Sequence, residues 1–281
     1  MAEQLVNVSV FTDQIKEKKL DKKTEVKIRK LLGNSKKVTQ AQAGILQGII
    51  DEAISSLSKI KTVEQAKVFS TINIFNTTSA LEKLIPYQNN IGKIFTFGIQ
   101  FTSKEPSGTV LQMEEAVKQS AMQFVTKMGE DLKKQAGDIV AGGLKNGLDR
   151  NEVVNQLEQN LNITRARANS IARTETMRAA NAGSYGQAIR DGQQFYIVDA
   201  RAEACQECQD EYDGQVFDIT DSDSMPPLHP NCACIPVYFN TKEEAQGWAD
   251  NISSDNQDIR EIITDKGKTI PKDGTGSESN T

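Results

Sequence analysis

The chain is poor in the residues that build most catalytic and redox centres. Its 281 residues include one histidine, one tryptophan and four cysteines, and aromatic residues make up 6%. A single histidine leaves little material for a histidine-dependent catalytic triad or for a hydrolytic metal site with several imidazole ligands. The low aromatic content, together with 25% charged residues, indicates a polar protein with few large core side chains.

Long apolar runs are also missing. No segment approaches the roughly 18 apolar residues that span a bilayer, and the first residues lack the pattern of a signal peptide. These absences predict a protein without a membrane segment in a reducing cytoplasm, where clustered cysteines are more often metal ligands than disulfides. Two disulfides are the alternative if the mature protein lives outside a cell.

All the sulfhydryl groups and the only imidazole fall in one window, residues 205–234. A C-x-x-C pair opens it, and a second group follows after 20 intervening residues. The five residues are Cys205, Cys208, His229, Cys232 and Cys234. Two ligands from each of two short turns suit tetrahedral zinc. We therefore predict a structural Zn²⁺ that stabilises a segment too short to build its own core.

A tetrahedral site needs four of these five residues, and the sequence leaves the choice open. Cys205 and Cys208 form the firm pair. The second pair is either His229 with Cys232 or Cys232 with Cys234. A redox C-x-x-C would need a thioredoxin-like context, and a zinc deaminase would need an H-x-E motif that the chain lacks.

Charge is distributed unevenly. Residues 16–37 carry ten basic and three acidic side chains, a local net charge of +7. Residues 191–240 carry ten acidic side chains and one arginine, a local net charge of −9. The basic segment is therefore the expected place for any DNA contact, although a solvated helix surface explains it as well. The acidic window is a poor match for phosphates.

The first half of the chain predicts one strand and one helix. Alternating Phe and Ile residues at 95–101 favour a strand, and the Pro and Gly of residues 103–108 favour a loop. Apolar residues at helical spacing then predict a helix from Met113 to Val140. The glycines of residues 141–148 are expected to interrupt it.

Two further helix starts are predicted after the glycines. Asp149 with Glu152 forms a capping-box pattern, and an apolar stripe follows at Val153, Val154, Leu157 and Leu161. Thr164 is expected to cap another helix, whose many small residues suit close packing against neighbouring helices.

These patterns predict a mainly α protein of the α+β class, with a helical body followed by a small zinc-stapled, β-containing C-terminal module. The expected parts are a helical region with a short strand at 1–110, a helical part at 111–190, a Cys/His zinc module at 191–240, and an extension with a disordered tail at 241–281. Asp213 and Gly214 are expected to form a structural turn inside the module.

Three motifs carry a resemblance to a known family. The IARTET segment at 171–176, the C-x-x-C followed by Asp213-Gly214, and the PPLHPNC segment at 226–232 occur in this order. Over roughly residues 111–240 they resemble the phage head-morphogenesis family, the Mu protein F-like minor head proteins. Each motif alone is weak, and their order makes the resemblance specific. One departure is Ala233, where the family often has an arginine.

The resemblance implies a non-enzymatic minor capsid protein of a tailed phage or prophage, made in the bacterial cytoplasm and located in the virion head. Such proteins look like partners of the portal protein and of prohead or capsid components, and some influence DNA packaging or delivery. The alternative is a zinc-containing nucleic-acid-binding protein that uses the Lys and Arg residues of 16–37 and 165–190. A metal-dependent hydrolase is a third interpretation.

Arg173 and Glu175 of the IARTET segment attract attention as a charged pair. On a helix they lie about 200° apart and do not face one another. We expect them to be structural or interfacial positions that orient the helix against the cysteine module, rather than catalytic residues.

Overall fold

A computed structural model describes residues 22–102, 108–200 and 204–250 of the chain. Its helices are α1 (Lys22–Leu57), α2 (Val63–Ser70), a short 3₁₀ helix (Ile74–Asn76), α3 (Thr78–Thr102), α4 (Gly108–Lys145), α5 (Arg150–Arg190) and α6 (Gln206–Glu211). The strands are β1 (Phe195–Asp199), β2 (Val216–Asp218) and β3 (Ile235–Phe239). A further helix, α7, begins at residue 242. The predicted mainly helical fold with a small β-containing C-terminal part is confirmed.

Helices α1 to α5 form the helical body, with α5 packed against α1, α3 and α4. The predicted apolar stripe of α5 is confirmed, because Val153, Val154, Leu157 and Leu161 are all buried. From the partner helices, large buried side chains meet in the same core. They include Leu46, Ile50, Tyr87, Ile91 and Met128. Apolar contacts therefore hold the body along its whole length.

The strand predicted at 95–101 is wrong, because these residues lie in α3. The Phe and Ile residues alternate there, but the buried Ile91, Ile94 and Phe95 extend a helical spacing through the same segment. The crossing with α5 explains why glycine is used: a Cβ at Gly98 would collide with the carbonyl oxygen of Ala180. Close contact of two helix backbones is thus a tertiary feature that the local alternation conceals.

The helix predicted from Met113 is confirmed within α4. The glycine-rich segment ends this helix nearer to its C-terminal side than predicted, because α4 continues to Lys145. Gly142 and Gly143 stay helical, and the chain turns only at Gly147, which has a φ of 68°. Of the predicted 103–108 loop, residues 103–107 lie outside the described residues, and α4 begins at the sixth residue, Gly108.

The start of α5 is the predicted capping box. The Asp149 side chain accepts from the Glu152 N–H, and the Glu152 carboxylate accepts from the Asp149 N–H. The predicted second start at Thr164 is wrong, since α5 runs through it without a break. The Thr164 hydroxyl donates to the carbonyl oxygen of Asn160, four residues earlier, so a residue that suits a cap instead bonds inside the helix.

The strands form an antiparallel sheet in the order β2-β1-β3. Alternate residues of β1 face different neighbours: Ile197 packs into the core of the helical body, while Tyr196 and Val198 pack with the buried cysteines. The cysteine module, residues 191–240, thus packs against the body through its sheet. The predicted disordered tail lies beyond residue 250, outside the described residues.

Among the described residues, no helix is both long enough and apolar enough to cross a membrane.

Candidate metal centre

The C-x-x-C pair sits at the start of a short helix. Cys205 is the N-cap residue of α6, and Cys208 lies in the first turn of that helix. Residues three apart on a helix share one side, so the two sulfur atoms point to the same place. Cys205 is exposed, whereas Cys208 is 1% exposed and packs beneath β1.

The loop at residues 226–234, here called the ligand loop, brings His229, Cys232 and Cys234 to the same place. The N–H of Cys232 donates to the carbonyl oxygen of His229 at 3.1 Å, which closes a turn. Inside it, Asn231 has a φ of 65°, a left-handed conformation that asparagine tolerates better than most residues. Cys232 and Cys234 follow, and both are buried.

All five predicted residues converge. The Nε2 atom of His229 lies 3.0 Å from the sulfur of Cys205 and 3.1 Å from that of Cys208. Ligand atoms fall into two groups, each with all its atoms within 4.8 Å of one another. One contains Cys205, Cys208 and His229, and the other contains Cys208, Cys232 and Cys234. Cys208 therefore belongs to both halves of the cluster.

The tautomer of His229 is suited to metal binding. Its Nδ1 atom lies 2.8 Å from the carbonyl oxygen of Pro230, to which an N–H at that position donates. This bond is the first cause of a raised pKa of His229. With the proton on Nδ1, the neutral ring presents the lone pair of Nε2 to the two sulfurs. Outer hydrogen bonds of this kind fix the orientation of metal-ligating imidazoles.

The thiols perturb one another. A hydrogen bond from the Cys234 thiol lowers the pKa of Cys232 to about 5, and the same bond, followed by burial, raises the pKa of Cys234. Burial raises the pKa of Cys208 to about 12, while the backbone N–H of Cys208 lowers the pKa of Cys205. The pKa is thus lowered at Cys205 and Cys232, one in each half of the cluster, and raised at Cys208 and Cys234.

The side chains predicted as structural take different places. Arg173 lines an open cleft of about 510 Å³ that the five cluster residues also line. Glu175 does not line the cleft; it is 3% exposed and accepts from Arg178 Nε at 3.2 Å. In the module, Asp213 Oδ1 accepts from the N–H of Ala200 at 2.9 Å, and Gly214 has a φ of 72° in the following turn.

Two residues that the sequence analysis did not single out contact the ligand loop directly. Thr174 Oγ1 accepts from the N–H of Asn231 at 3.0 Å. Asn181 Nδ2 donates to the carbonyl oxygens of Pro226 at 3.0 Å and of Cys234 at 3.1 Å. Their seven-residue spacing places them two turns apart on one face of α5. That spacing, amid small residues, was the available signal.

No curated protein and no solved structure matches the chain. A match exists at the level of families, and it spans the part of the molecule just described. Residues 134–237, from the second half of α4 through the whole cysteine cluster, match the model of the family described as Phage Mu protein F like protein, which confirms the resemblance read from the sequence.

Proposed function

We propose that the protein is a minor head protein of a tailed phage or prophage, and that one zinc ion holds its cysteine module together. The family match supports a role in phage head morphogenesis. The observation that carries the proposal is the pair of adjoining ligand groups inside the matched segment, which together contain all five cysteine and histidine side chains and share Cys208. The module then acts as a folded docking element rather than as a catalyst.

The donor set fits zinc. Tetrahedral coordination with Zn–S bonds of about 2.3 Å places the sulfur ligands roughly 3.8 Å apart, and the ligand atoms of each group lie within 4.8 Å of one another. Among the described residues, both groups contain only cysteine and histidine. A sulfur-rich donor set without a carboxylate favours a closed structural site over a hydrolytic one with an open position.

The geometry favours one choice of four ligands. Cys208 takes part in both groups, and His229 Nε2 faces both Cys205 and Cys208. Cys232 is the fourth ligand that we favour, because its N–H donates to the carbonyl oxygen of His229 at 3.1 Å and so places both side chains on one turn. Cys234 is then a buried neighbour whose thiol donates to Cys232. The set Cys205, Cys208, Cys232 and Cys234 is the alternative.

Elemental analysis tests the metal, and two substitutions test the ligand set. Protein purified without chelator should carry one zinc per chain. His229→Ala should lower zinc content or affinity strongly, whereas Cys234→Ser should leave one zinc bound. The reverse pattern would support the four-cysteine set. A folded, metal-free protein with four reactive thiols would refute the zinc proposal.

The assembly role makes a separate prediction. The protein should bind the portal protein and prohead or capsid components, travel into the virion from the bacterial cytoplasm, and aid packaging or delivery of DNA. A tagged chain recovered from infected or induced cells should carry portal protein, detected by mass spectrometry. Cys208→Ser protein serves as the matched comparison. Equal recovery of portal protein would assign docking to the helical body instead.

A second function has its own observation. Lys30, Lys36 and Lys37 are exposed on α1. Lys30 and Lys37 nearly align, because they are seven residues apart on a helix, and Lys36 is the neighbour of Lys37. No acidic residue occurs between residues 26 and 50. A polyanion such as DNA would complement this surface. The zinc-containing protein would then be a nucleic-acid-binding one, or the head protein would contact packaged DNA there.

Salt-dependent DNA retention tests this second function. Each phosphate contact contributes about 0.9 to the slope of log affinity against log salt concentration. Replacing Lys30, Lys36 and Lys37 by Gln should therefore lower the slope by roughly 3 if all three contact phosphates. The same change at Lys59, Lys61 and Lys67, exposed on the same end of the chain, is the control. Equal slopes for both triple variants would exclude the α1 surface.

A further inference from the structure

Helix α5 contacts the ligand loop through two buried polar side chains. Thr174 is 9% exposed and Asn181 is 1% exposed. Their three hydrogen bonds to the loop all end on backbone atoms, namely the N–H of Asn231 and the carbonyl oxygens of Pro226 and Cys234. Asn231 separates two of the candidate ligands, and Cys234 is itself a candidate ligand.

The contacts act where the loop most needs fixing. The left-handed conformation of Asn231 turns the backbone between His229 and Cys232, and Thr174 holds the N–H of that residue. Asn181 then fixes both ends of the loop at once, because one amide group donates to Pro226 and to Cys234. Rotation of these backbone groups would move the imidazole and the sulfur atoms away from their common centre.

We propose that Thr174 and Asn181 are positioning residues of the metal centre, which make its metal affinity depend on helix α5. The inference rests on the proposed zinc site and goes beyond it, since neither residue is a ligand. Hydrogen bonds that orient ligands commonly contribute 10- to 100-fold, roughly, to metal affinity. Because coupling is reciprocal, bound metal should in turn strengthen the attachment of the loop to α5.

The chain offers a close control for Thr174. The hydroxyl of Thr174 donates to the carbonyl oxygen of Ser170, and the hydroxyl of Thr164 donates to that of Asn160. Both threonines are buried in α5, but only Thr174 also accepts from the ligand loop. Thr174→Val and Thr164→Val therefore each lose one hydrogen bond of the same kind inside α5. They differ because only Thr174→Val also loses the contact to Asn231.

The experiment measures zinc affinity by competition with a chromophoric chelator. Thr174→Val should bind zinc about tenfold more weakly than Thr164→Val, and Thr174→Ser, which keeps the hydroxyl, should recover the parental affinity. Asn181→Leu should weaken binding at least as much, because it removes two bonds. Equal zinc affinities for the two valine variants would overturn the proposal.

Amide hydrogen exchange of Asn231 and Cys232 supplies a readout that needs no metal. Exchange at Asn231 should be faster in Thr174→Val than in Thr164→Val. If the parent protein binds no zinc, the zinc site is refuted while the contact from α5 is still tested: unequal exchange supports its positioning role, and equal exchange overturns it. A variant that fails to fold is recognised by its circular dichroism, and Thr174→Ser then provides the comparison.

Discussion

The helical body and the cysteine module bury different kinds of side chain. In the body, aliphatic and aromatic residues from every helix share one core, which begins at Ile28 in α1 and also includes Ile197, Ile235 and Val237 of the sheet. In the module, the buried cluster consists of six residues, and three of them are cysteines. The other three are Tyr196, Val198 and Ala200. Apolar area therefore stabilises the body, whereas half of the module's buried cluster consists of candidate metal ligands.

Because of this difference, we expect a substitution in the body or in the module to destabilise mainly the part in which it lies. A core as distributed as that of the body loses a few kcal/mol when one side chain is truncated and keeps its other contacts. The module has a small buried cluster of its own beside the sheet, and the proposed metal would join its two cysteine-bearing segments cooperatively. Stability measured on the whole chain should accordingly separate into two parts.

The largest expected effect is the loss of the module in Cys208→Ser. Cys208 belongs to both ligand groups, and zinc contributes on the order of 10–16 kcal/mol in small zinc modules. The variant should lose its metal, and limited proteolysis should cut within residues 191–240 while α1 to α5 stay protected. Cys205→Ser should act in the same direction.

Ala233→Ser controls for the added hydroxyl group, because Ala233 lines the same cleft without being a candidate ligand. It should keep zinc and protease resistance. A Cys208→Ser protein as protected as the parent, yet inactive in head assembly, would point to chemistry at the cluster instead of a structural role.

The second largest effect is expected from a substitution in the core of the helical body, which should leave the metal centre unchanged. Leu46 is fully buried in α1, so Leu46→Ala should cost roughly 2–5 kcal/mol of unfolding free energy in urea. Zinc content of the folded protein should not change. Leu81→Ala, at a side chain that is 47% exposed, is the control and should cost much less. Loss of zinc from folded Leu46→Ala protein would show that body and module do not behave separately.

The sequence contained the local parts of this architecture. The capping box, the apolar stripe of α5 and the convergence of the cysteines follow from short-range spacing, and the structure contains each of them. The strand predicted at 95–101 failed because its alternation overlaps a helical spacing. In the folded protein Gly98 lies close to the carbonyl oxygen of Ala180, which is 82 positions away in the sequence. This close approach requires the helical packing, and it is not visible in the local sequence.

The positioning contacts were hidden for the same reason. Charge directed attention to Arg173 and Glu175, but neutral side chains of the same helix reach the ligand loop, Thr174 across 57 positions and Asn181 across 53. At Thr164 the sequence predicted a helix start that the structure does not have. A threonine that bonds to the carbonyl four residues earlier looks like a cap in sequence, and only the unbroken helix distinguishes the two.

A smaller effect is expected at the start of α5. Asp149→Ala removes one half of the capping box, and losses of this kind cost about 1 kcal/mol. Asp149→Asn should retain most of the stability, because asparagine caps about as well. Urea unfolding measures both, and zinc content should be unchanged in either variant. Equal destabilisation by Ala and Asn would mean that the charge, rather than the cap, matters.

The smallest effect at neutral pH concerns the buried carboxyl group of Glu175. Burial raises the pKa of this group, against the opposing effect of the Arg178 guanidinium. The unfolded chain therefore loses the proton at lower pH than the folded protein does. Between the two pKa values the unfolded state binds fewer protons, so this group makes stability fall as pH rises. Below the unfolded pKa the carboxyl is protonated in both states and has no such effect.

Glu175→Gln isolates this contribution, because glutamine stays neutral and has nearly the same shape. The variant should match the parent at acidic pH and become relatively more stable as pH rises above about 4.3, the ordinary glutamate pKa. The partly exposed Arg178 limits what is lost with the ion pair. Urea midpoints of both proteins across pH measure the difference, and Glu158→Gln, exposed on the same helix, is the control. A parent that instead gains stability over Glu175→Gln as pH rises would mean that the ion pair with Arg178 outweighs burial.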